Sequence, residues 1–258
     1  MRFDPMEKQP FRTVQILGVD FAGGPIEEVV SAVVAHGGLL VVPAAPALVN
    51  IKYDAAYREA LVHADFAIAD SGAMVLLWKI LRGLPPPRIS GLRYLSELLS
   101  RESLRQPGNA LFVLPSDAAR DKTLHWLRSE GFLTGEEDCY VAPRYTNPVE
   151  DPVLLDRLNQ RQPANIIVAI GGGVQEKLGY FVRERCAYTP AIHCIGAALG
   201  FLTGDQRPIP NWADKMYLGW LLRLARNPRL YARRFWLAHE LPWLIWRYGS
   251  DLPPQRPH

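Results

Sequence analysis

Three short stretches of the chain place chemically capable residues beside glycine. Asp70-Ser71-Gly72 follows the apolar run Phe66–Ala69. A carboxylate held at the end of a buried strand can take a proton from a substrate hydroxyl, a general-base role usually worth about 10²–10⁴ in rate. The same three residues also fit a helix N-cap, with the aspartate accepting backbone N–H bonds and the glycine easing the turn. Gly171-Gly172-Gly173-Val174-Gln175-Glu176 follows Asn165–Ile170 and opens a helical pattern. Glycine lets backbone amides approach an anion, and a helix N-terminus favours a phosphate; a tight strand-to-helix turn accounts for the run equally well. Arg88, in Pro87-Arg88-Ile89-Ser90-Gly91, could clamp a phosphate from a loop, or stand there as a solvated cation.

Other chemistries lack their residues. The glycine run is not a full GxGxxG, and no acid follows Cys194-Ile195-Gly196 to hold a ribose, so a nicotinamide dinucleotide site is weakly supported. The six histidines are scattered, and none forms HExxH or lies beside a cysteine cluster. No metal site and no cofactor are expected. There is no GxSxG elbow. Cys139, Cys186 and Cys194 form no CxxC and fit a reducing compartment better than a disulfide framework.

The elements that must position these residues read as an alternation. Strand patterns at Thr13–Val19, Leu39–Pro43, Phe66–Ala69, Ala110–Leu114, Cys139–Ala142, Asn165–Ile170 and Ala191–Ile195 are separated by helical patterns. The helices are expected at Pro25–His36, Ala47–Val62, Gly72–Arg82, Asp117–Glu130, Pro152–Arg161 and Val174–Cys186. Continuous apolar strands alternating with helices imply a parallel sheet covered on both faces. In such sheets ligands bind outside the carboxyl ends of the strands, where Pro43–Asn50, Asp70–Gly72 and Gly171–Glu176 all fall.

The charge is unevenly spread. The 258 residues carry 29 basic and 26 acidic side chains, a formal +3, too small to point to nucleic acid. Residues 207–247 hold eight of the cations and two acids, which makes that segment +6 and the remainder −3. Five of the seven tryptophans fall there too: Trp212, Trp220, Trp236, Trp243 and Trp246. On a helical wheel Arg223, Arg226, Arg229, Arg233 and Arg234 share one arc, while Trp220, Leu221, Leu224, Tyr231 and Phe235 share another, with Pro228 splitting the helix. A basic face beside an aromatic one describes an interfacial helix on an anionic membrane, or else an amphipathic helix packed on the body. No secretory signal is visible and no uncharged apolar run reaches the roughly 18 residues of a spanning helix. The expected division is a body, 1–206, and a C-terminal helical appendage, 207–258.

Taken in order, these segments resemble the WecG/TagA/CpsF family, glycosyltransferase family 26. Ala64-Asp65-Phe66-Ala67-Ile68-Ala69-Asp70-Ser71-Gly72 resembles the family's Ala-Asp…Asp-Gly stretch. Arg82-Gly83 through Pro87-Arg88-Ile89-Ser90-Gly91 is similar to its Glu-Arg-Val-x-Gly stretch, and Gly171 to Lys177 to its Gly-x-Pro-x-Gln-Glu-Lys stretch. Ile195-Gly196-Ala197-Ala198 with Gly204 and Arg207-Pro208 resembles a further glycine and Arg-Ala-Pro motif. The C-terminal anchor is Trp220-Leu221-Leu222-Arg223-Leu224 through Pro228 to Arg233-Arg234-Phe235. The likeness covers Thr13 to Phe235.

The resemblance implies an α/β, Rossmann-like fold with a mostly parallel sheet and a C-terminal membrane-associating segment. It implies an inverting, metal-independent transfer from a UDP-sugar to a polyprenyl-diphosphate-linked saccharide, by an enzyme at the cytoplasmic face of the bacterial inner membrane, for surface or exported polysaccharide. By its motifs the general base falls on Asp70. Substrate-binding positions fall on Arg88 and Gln175, beside the turn Gly171, Gly172 and Gly173. Arg223, Arg233 and Arg234 approach the lipid diphosphate, with Trp220 and Trp236 at the anionic membrane surface. No nucleic-acid partner is expected, and a homo-oligomer stays open. The sequence departs from the family where Pro43-Ala44-Ala45 stands in place of a Thr-x-Asn motif, with Asn50 downstream as the candidate substitute. Ser71 enters the Asp-Gly pair, Gly173 replaces a proline, Arg93 an acid, and Gly219 the glutamate before Trp220. These departures leave room for another sugar pair. They also leave room for a non-catalytic partner in a polysaccharide complex; a nucleotide- or NAD-linked enzyme is the other rival.

Overall fold

A computed structural model describes residues 11–205 and 238–256. Its centre is an eight-stranded sheet in the order β1-β2-β4-β3-β8-β7-β5-β6. β1 (Thr13–Ile16) and β2 (Val19–Ala22) form an antiparallel hairpin at one edge. β3 (Gly38–Val41), β4 (Phe66–Ala67), β5 (Ala110–Leu114), β6 (Cys139–Val141), β7 (Asn165–Val168) and β8 (Ala191–Cys194) pair in parallel. The expected mostly parallel sheet is present, and β3, β5, β7 and β8 are buried along their whole length.

Helices cover both faces, and each face has its own apolar cluster. One side carries α1 (Ile26–His36), α5 (Gly91–Leu99), α6 (Glu102–Arg105), α7 (Asp117–Ser129) and α10 (Ala198–Leu202). The other carries α2 (Ala45–Leu48), α3 (Ala55–Val62), α4 (Gly72–Arg82), α8 (Pro152–Arg161), α9 (Val174–Arg185) and α11 (Glu240–Tyr248). Alternate strand residues feed the two clusters, as the period of a strand requires: Leu39 and Val41 face one, Leu40 the other.

Two elements differ from their sequence pattern. Thr13–Val19 is not one strand, because the chain reverses at Leu17 (φ 51°) and Gly18 (φ 80°). Two successive positive φ angles make a hairpin turn whose twist suits its strands. A leucine is an unusual occupant, and its N–H is held by the Gly249 carbonyl at 2.9 Å while Gly18 N–H reaches Ser250 O at 2.8 Å. Ala47–Val62 is not one helix either. α2 tightens into a 3₁₀ turn at Val49–Lys52, and α3 starts afresh where Asp54 Oδ1 accepts the Tyr57 N–H at 3.0 Å.

The last described segment is built into the body. Leu241, Leu244 and Ile245 of α11 join the same cluster as α4 and the hairpin. Lys52 Nζ bonds Glu240 Oε2 at 2.7 Å, and Tyr53 Oη donates to Glu240 Oε1 at 2.9 Å. These two bonds fix the start of α11; hydrogen bonding to Lys52 is the main cause of the lowered Glu240 pKa. Arg82 closes its other end by donating to the carbonyls of Ile245 and Trp246. The 238–256 portion of the appendage expected from residue 207 onward is therefore packed against the body through Leu241, Leu244 and Ile245. Residues 206–237 lie outside the described residues. Among the described residues no helix is long and apolar enough to cross a membrane.

Candidate active site

The parallel strands direct their carboxyl ends, and the loops that follow them, to one edge of the sheet. β4 leads through Ile68-Ala69 to Asp70, half-buried at this edge. The helix cap is supplied by the next residue: Ser71 Oγ accepts the Met74 N–H at 3.3 Å and starts α4. Ser71 thus takes the capping role that the sequence alone allowed to Asp70, and the aspartate is committed elsewhere. Its Oδ1 accepts the Gly91 N–H at 3.1 Å, and among the described residues Oδ2 has no hydrogen-bond partner.

Arg88 reaches the same place by a long return. α4 runs away from the edge, Gly83 turns the chain, and Pro85-Pro86-Pro87 holds it extended on the way back. Arg88 then bridges Ala69 in parallel, Ile89 N–H donates to Ala69 O at 3.2 Å, and Arg88 Nε donates to Asp70 O at 3.0 Å. Ser90 caps α5 through the Arg93 N–H, so the N-terminus of α5 sits against the aspartate.

Gln175 comes to this edge from the start of α9, after β7. It is buried, with Nε2 donating to Cys194 O at 3.2 Å and Oε1 accepting the Gly196 N–H at 2.8 Å. It therefore pins the turn after β8 to the start of α9. That turn meets the aspartate's support, because a Cβ at Gly91 would stand 3.5 Å from Ile195 O and 3.6 Å from Val42. Gly91 thus joins Asp70 to the β8 turn that Gln175 holds, across the end of β3.

The turn Gly171–Gly173 needs its glycines for conformation: φ is 108° at Gly171 and 94° at Gly173, with open space where either Cβ would stand. Gly173 N–H is taken by Glu176 Oε2 at 2.6 Å, whose other oxygen accepts Gln175 Nε2 at 3.1 Å. The N–H groups of Gly171 and Gly172 have no partner among the described residues. Glu176 is fully buried, and burial raises its pKa against the opposing hydrogen bonds. The sequence reading left Glu176 without a role, although an acid three residues past a helix start is the spacing of a capping partner.

Support lies beneath the edge. Asp65 of the Ala-Asp stretch takes the Arg183 guanidinium in a two-pronged pair, at 2.7 and 3.0 Å, and also accepts the Leu39 N–H at 2.9 Å. That joins α9 to the starts of β3 and β4. Asp54 pairs with Lys177 at 2.9 Å, tying α3 to α9. Tyr57, on α3, is buried with its hydroxyl unpaired; burial first, then the nearby Glu176, raise its pKa. Asn50 sits half-buried on the 3₁₀ turn beyond β3, and no contact joins it to Asp70. Trp220, Arg223, Arg233, Arg234 and Trp236 lie outside the described residues.

A carboxylate with one oxygen and a glycine turn with two N–H groups unpartnered among the described residues thus share one strand-end edge with an arginine set against the carboxylate's backbone. The chain's sequence also matches that of a known family: the model of the Glycosyl transferase WecG/TagA/CpsF family covers residues 14–256. The chain belongs to this family. The match takes in every element of the sheet and α11 as well. Membership makes the protein a glycosyltransferase of cell-surface polysaccharide synthesis, working on a sugar-nucleotide donor and a saccharide acceptor. In the WecG/TagA/CpsF chain described here, Val42, Pro43 and Ala44 lead from β3 into α2, and Asn50 comes on the 3₁₀ turn after it.

Proposed function

We propose that this chain transfers a sugar from a UDP-sugar to a polyprenyl-diphosphate-linked saccharide, with inversion and without a metal, while resting on the inner membrane. The observation that carries the reading is the placement of Asp70. Its Oδ1 is fixed by Gly91 and its Oδ2 is left for a substrate hydroxyl. In the step, Oδ2 accepts the proton of the acceptor hydroxyl. The acceptor oxygen attacks the sugar C1 from the face opposite UDP. The C1–O bond to the diphosphate breaks, and UDP leaves with its electron pair. One displacement inverts the anomeric centre.

The leaving diphosphate gains one negative charge as the C1–O bond breaks, which fixed dipoles meet without reorganisation. Gly171 and Gly172 N–H at the α9 end, with Arg88, are the donors proposed for it. Gln175 acts through position in this reading, since its amide is spent on Cys194 and Gly196. Arg223, Arg233 and Arg234 are proposed to neutralise the acceptor's lipid diphosphate, with Trp220 and Trp236 at the lipid surface. The test is a panel of radiolabelled UDP-sugars offered with bacterial lipid extract. Label moving into the lipid fraction, and not with Asp70→Asn, is expected; a panel with no transfer sinks the reading.

A second reading has one observation behind it: the β3 end presents Pro43 and Ala44 rather than polar groups. A non-catalytic partner in a polysaccharide complex would bind the donor and neither transfer nor hydrolyse it.

A further inference from the structure

Among the described residues nine large apolar side chains are exposed, and six of them lie on α4, the loop after it and α11. Leu76, Ile80 and Leu81 belong to α4, Leu84 to the loop, and Trp243 and Trp246 to α11. Leu84 is 82%, Ile80 69% and Trp246 62% exposed. The two helices lie side by side on one face of the sheet, each burying its opposite stripe: Met74, Val75 and Trp78 on α4, Leu241, Leu244 and Ile245 on α11. Arg82 bonds from the end of α4 to the last carbonyls of α11, which brings the two helix ends together. Trp78 Nε1 donates to Leu84 O at 3.3 Å, which fixes the loop that displays Leu84. A clustered and rigidly supported apolar surface of this kind marks an interaction site.

Charge decides what it meets. From Gly72 to Leu84 there is no acid, and Lys79 and Arg82 supply two cations. Arg247 adds a third on α11, and the one acid of that helix, Glu240, is occupied by Lys52 and Tyr53, which leaves Asp251 as the exposed acid just past it. Exposed leucine, isoleucine and tryptophan set among an excess of cations match the boundary of an anionic bilayer, where indole rings favour the headgroup level.

We propose that the α4–Leu84–α11 face docks on an anionic lipid surface. Its residues are other than those of the arginine-rich 223–234 segment. It deepens the membrane part of the proposed function and gives it an orientation. α4 begins two residues after Asp70, and Leu76 lies about 6 Å further along its axis. The lipid plane then runs down the flank of the protein, with the catalytic edge at its rim, where the head of a lipid-linked acceptor would emerge.

The test is co-sedimentation of the full chain with vesicles of phosphatidylglycerol and phosphatidylcholine, and with pure phosphatidylcholine. The variants are Ile80→Glu/Leu84→Glu and, as a control, Leu133→Glu/Val153→Glu, which alters exposed apolar residues elsewhere. All four positions are exposed, so the variants should fold; circular dichroism and thermal melting check this. Binding to anionic vesicles should fall roughly tenfold or more in the first variant and stay near wild type in the control. Equal binding by all three proteins overturns the proposal, as does an equal loss in both variants. Self-association abolished in the first variant with vesicle binding intact also overturns it, and assigns the face to a second copy. Sugar transfer is read separately on a detergent-soluble acceptor. Loss of vesicle binding with transfer retained there separates the docking face from the chemistry.

Discussion

Asp70 and Gly91 are joined across 21 residues by a 3.1 Å bond from the glycine N–H to Oδ1. The bond fixes the carboxylate after β4, and among the described residues its other oxygen has no partner. An amide at this position keeps a carbonyl oxygen for Gly91 and loses the basicity. Asp70→Asn should therefore melt within a degree or two of wild type yet lose about 10²–10⁴ in transfer rate. The pair of measurements is a thermal melt and an initial rate with labelled donor. Retained turnover in a folded variant would remove Asp70 from the chemistry.

Glu176 holds two donors at once, Gly173 N–H and Gln175 Nε2. Glu176→Ala leaves both without that acceptor, although Gln175 Nε2 keeps Cys194 O. Orphaned buried donors of this kind cost about 1–3 kcal/mol, to be read by urea denaturation. The Gly171–Gly173 turn should loosen as well. If it cradles the donor diphosphate and meets the charge developing on it, kcat/KM for the nucleotide sugar falls; an unchanged kcat/KM in the folded variant would place the turn away from the donor.

The sheet was legible because buried parallel strands are short apolar runs, and Asn165–Ile170 and Ala191–Ile195 could hardly be anything else. The positions of Asp70 and the glycine turn at strand ends were legible because each follows an apolar run, whereas Arg88, read as a loop residue, reaches the same edge through its bridge to Ala69. The Leu17-Gly18 reversal was not, since a positive φ at leucine has no local signature and is supported by Gly249, far along the chain. α5 escaped notice although its apolar residues Tyr94, Leu95, Leu98 and Leu99 have helical spacing. The capping exchange between Asp70 and Ser71 is a one-residue shift that two adjacent cap formers leave undecided. The part played by Gln175 depends on Cys194 and Gly196, which only the pairing of β7 with β8 brings near.

α11 belongs to the core despite following the basic segment. Leu244 is fully buried in the cluster shared with α4 and the hairpin. Leu244→Ala should cost about 2–5 kcal/mol, the range for a large buried residue cut to alanine. Removing residues 238–258 should do worse, since it also strips the partners of Lys52, Arg82, Leu17 and Gly18. Calorimetry or urea denaturation measures both. A truncated chain that melts like wild type would mean that α11 docks without contributing stability.

His193 gives the fold a pH dependence of definite sign. It lies fully buried on β8, with Tyr94 Oη 2.9 Å from Nδ1 and Asn165 Oδ1 3.2 Å from Nε2. A neutral ring satisfies both contacts if Nε2 carries the proton and the tyrosine donates to Nδ1. Burial lowers its pKa to about 3. An unfolded chain takes up this proton near the ordinary histidine value of about 6.5, so between the two values the unfolded state binds more protons. This contribution is complete above about pH 6.5 and is lost as pH falls towards 3, at about 1.4 kcal/mol per pH unit from this one group. His193→Gln should be less stable at neutral pH, where it loses the fitted ring, yet show a shallower decline between pH 6.5 and 4. The check is the free energy of unfolding by urea across that range for both proteins. Parallel curves would show that other groups set the acid limb, and that His193 takes up its proton within the fold.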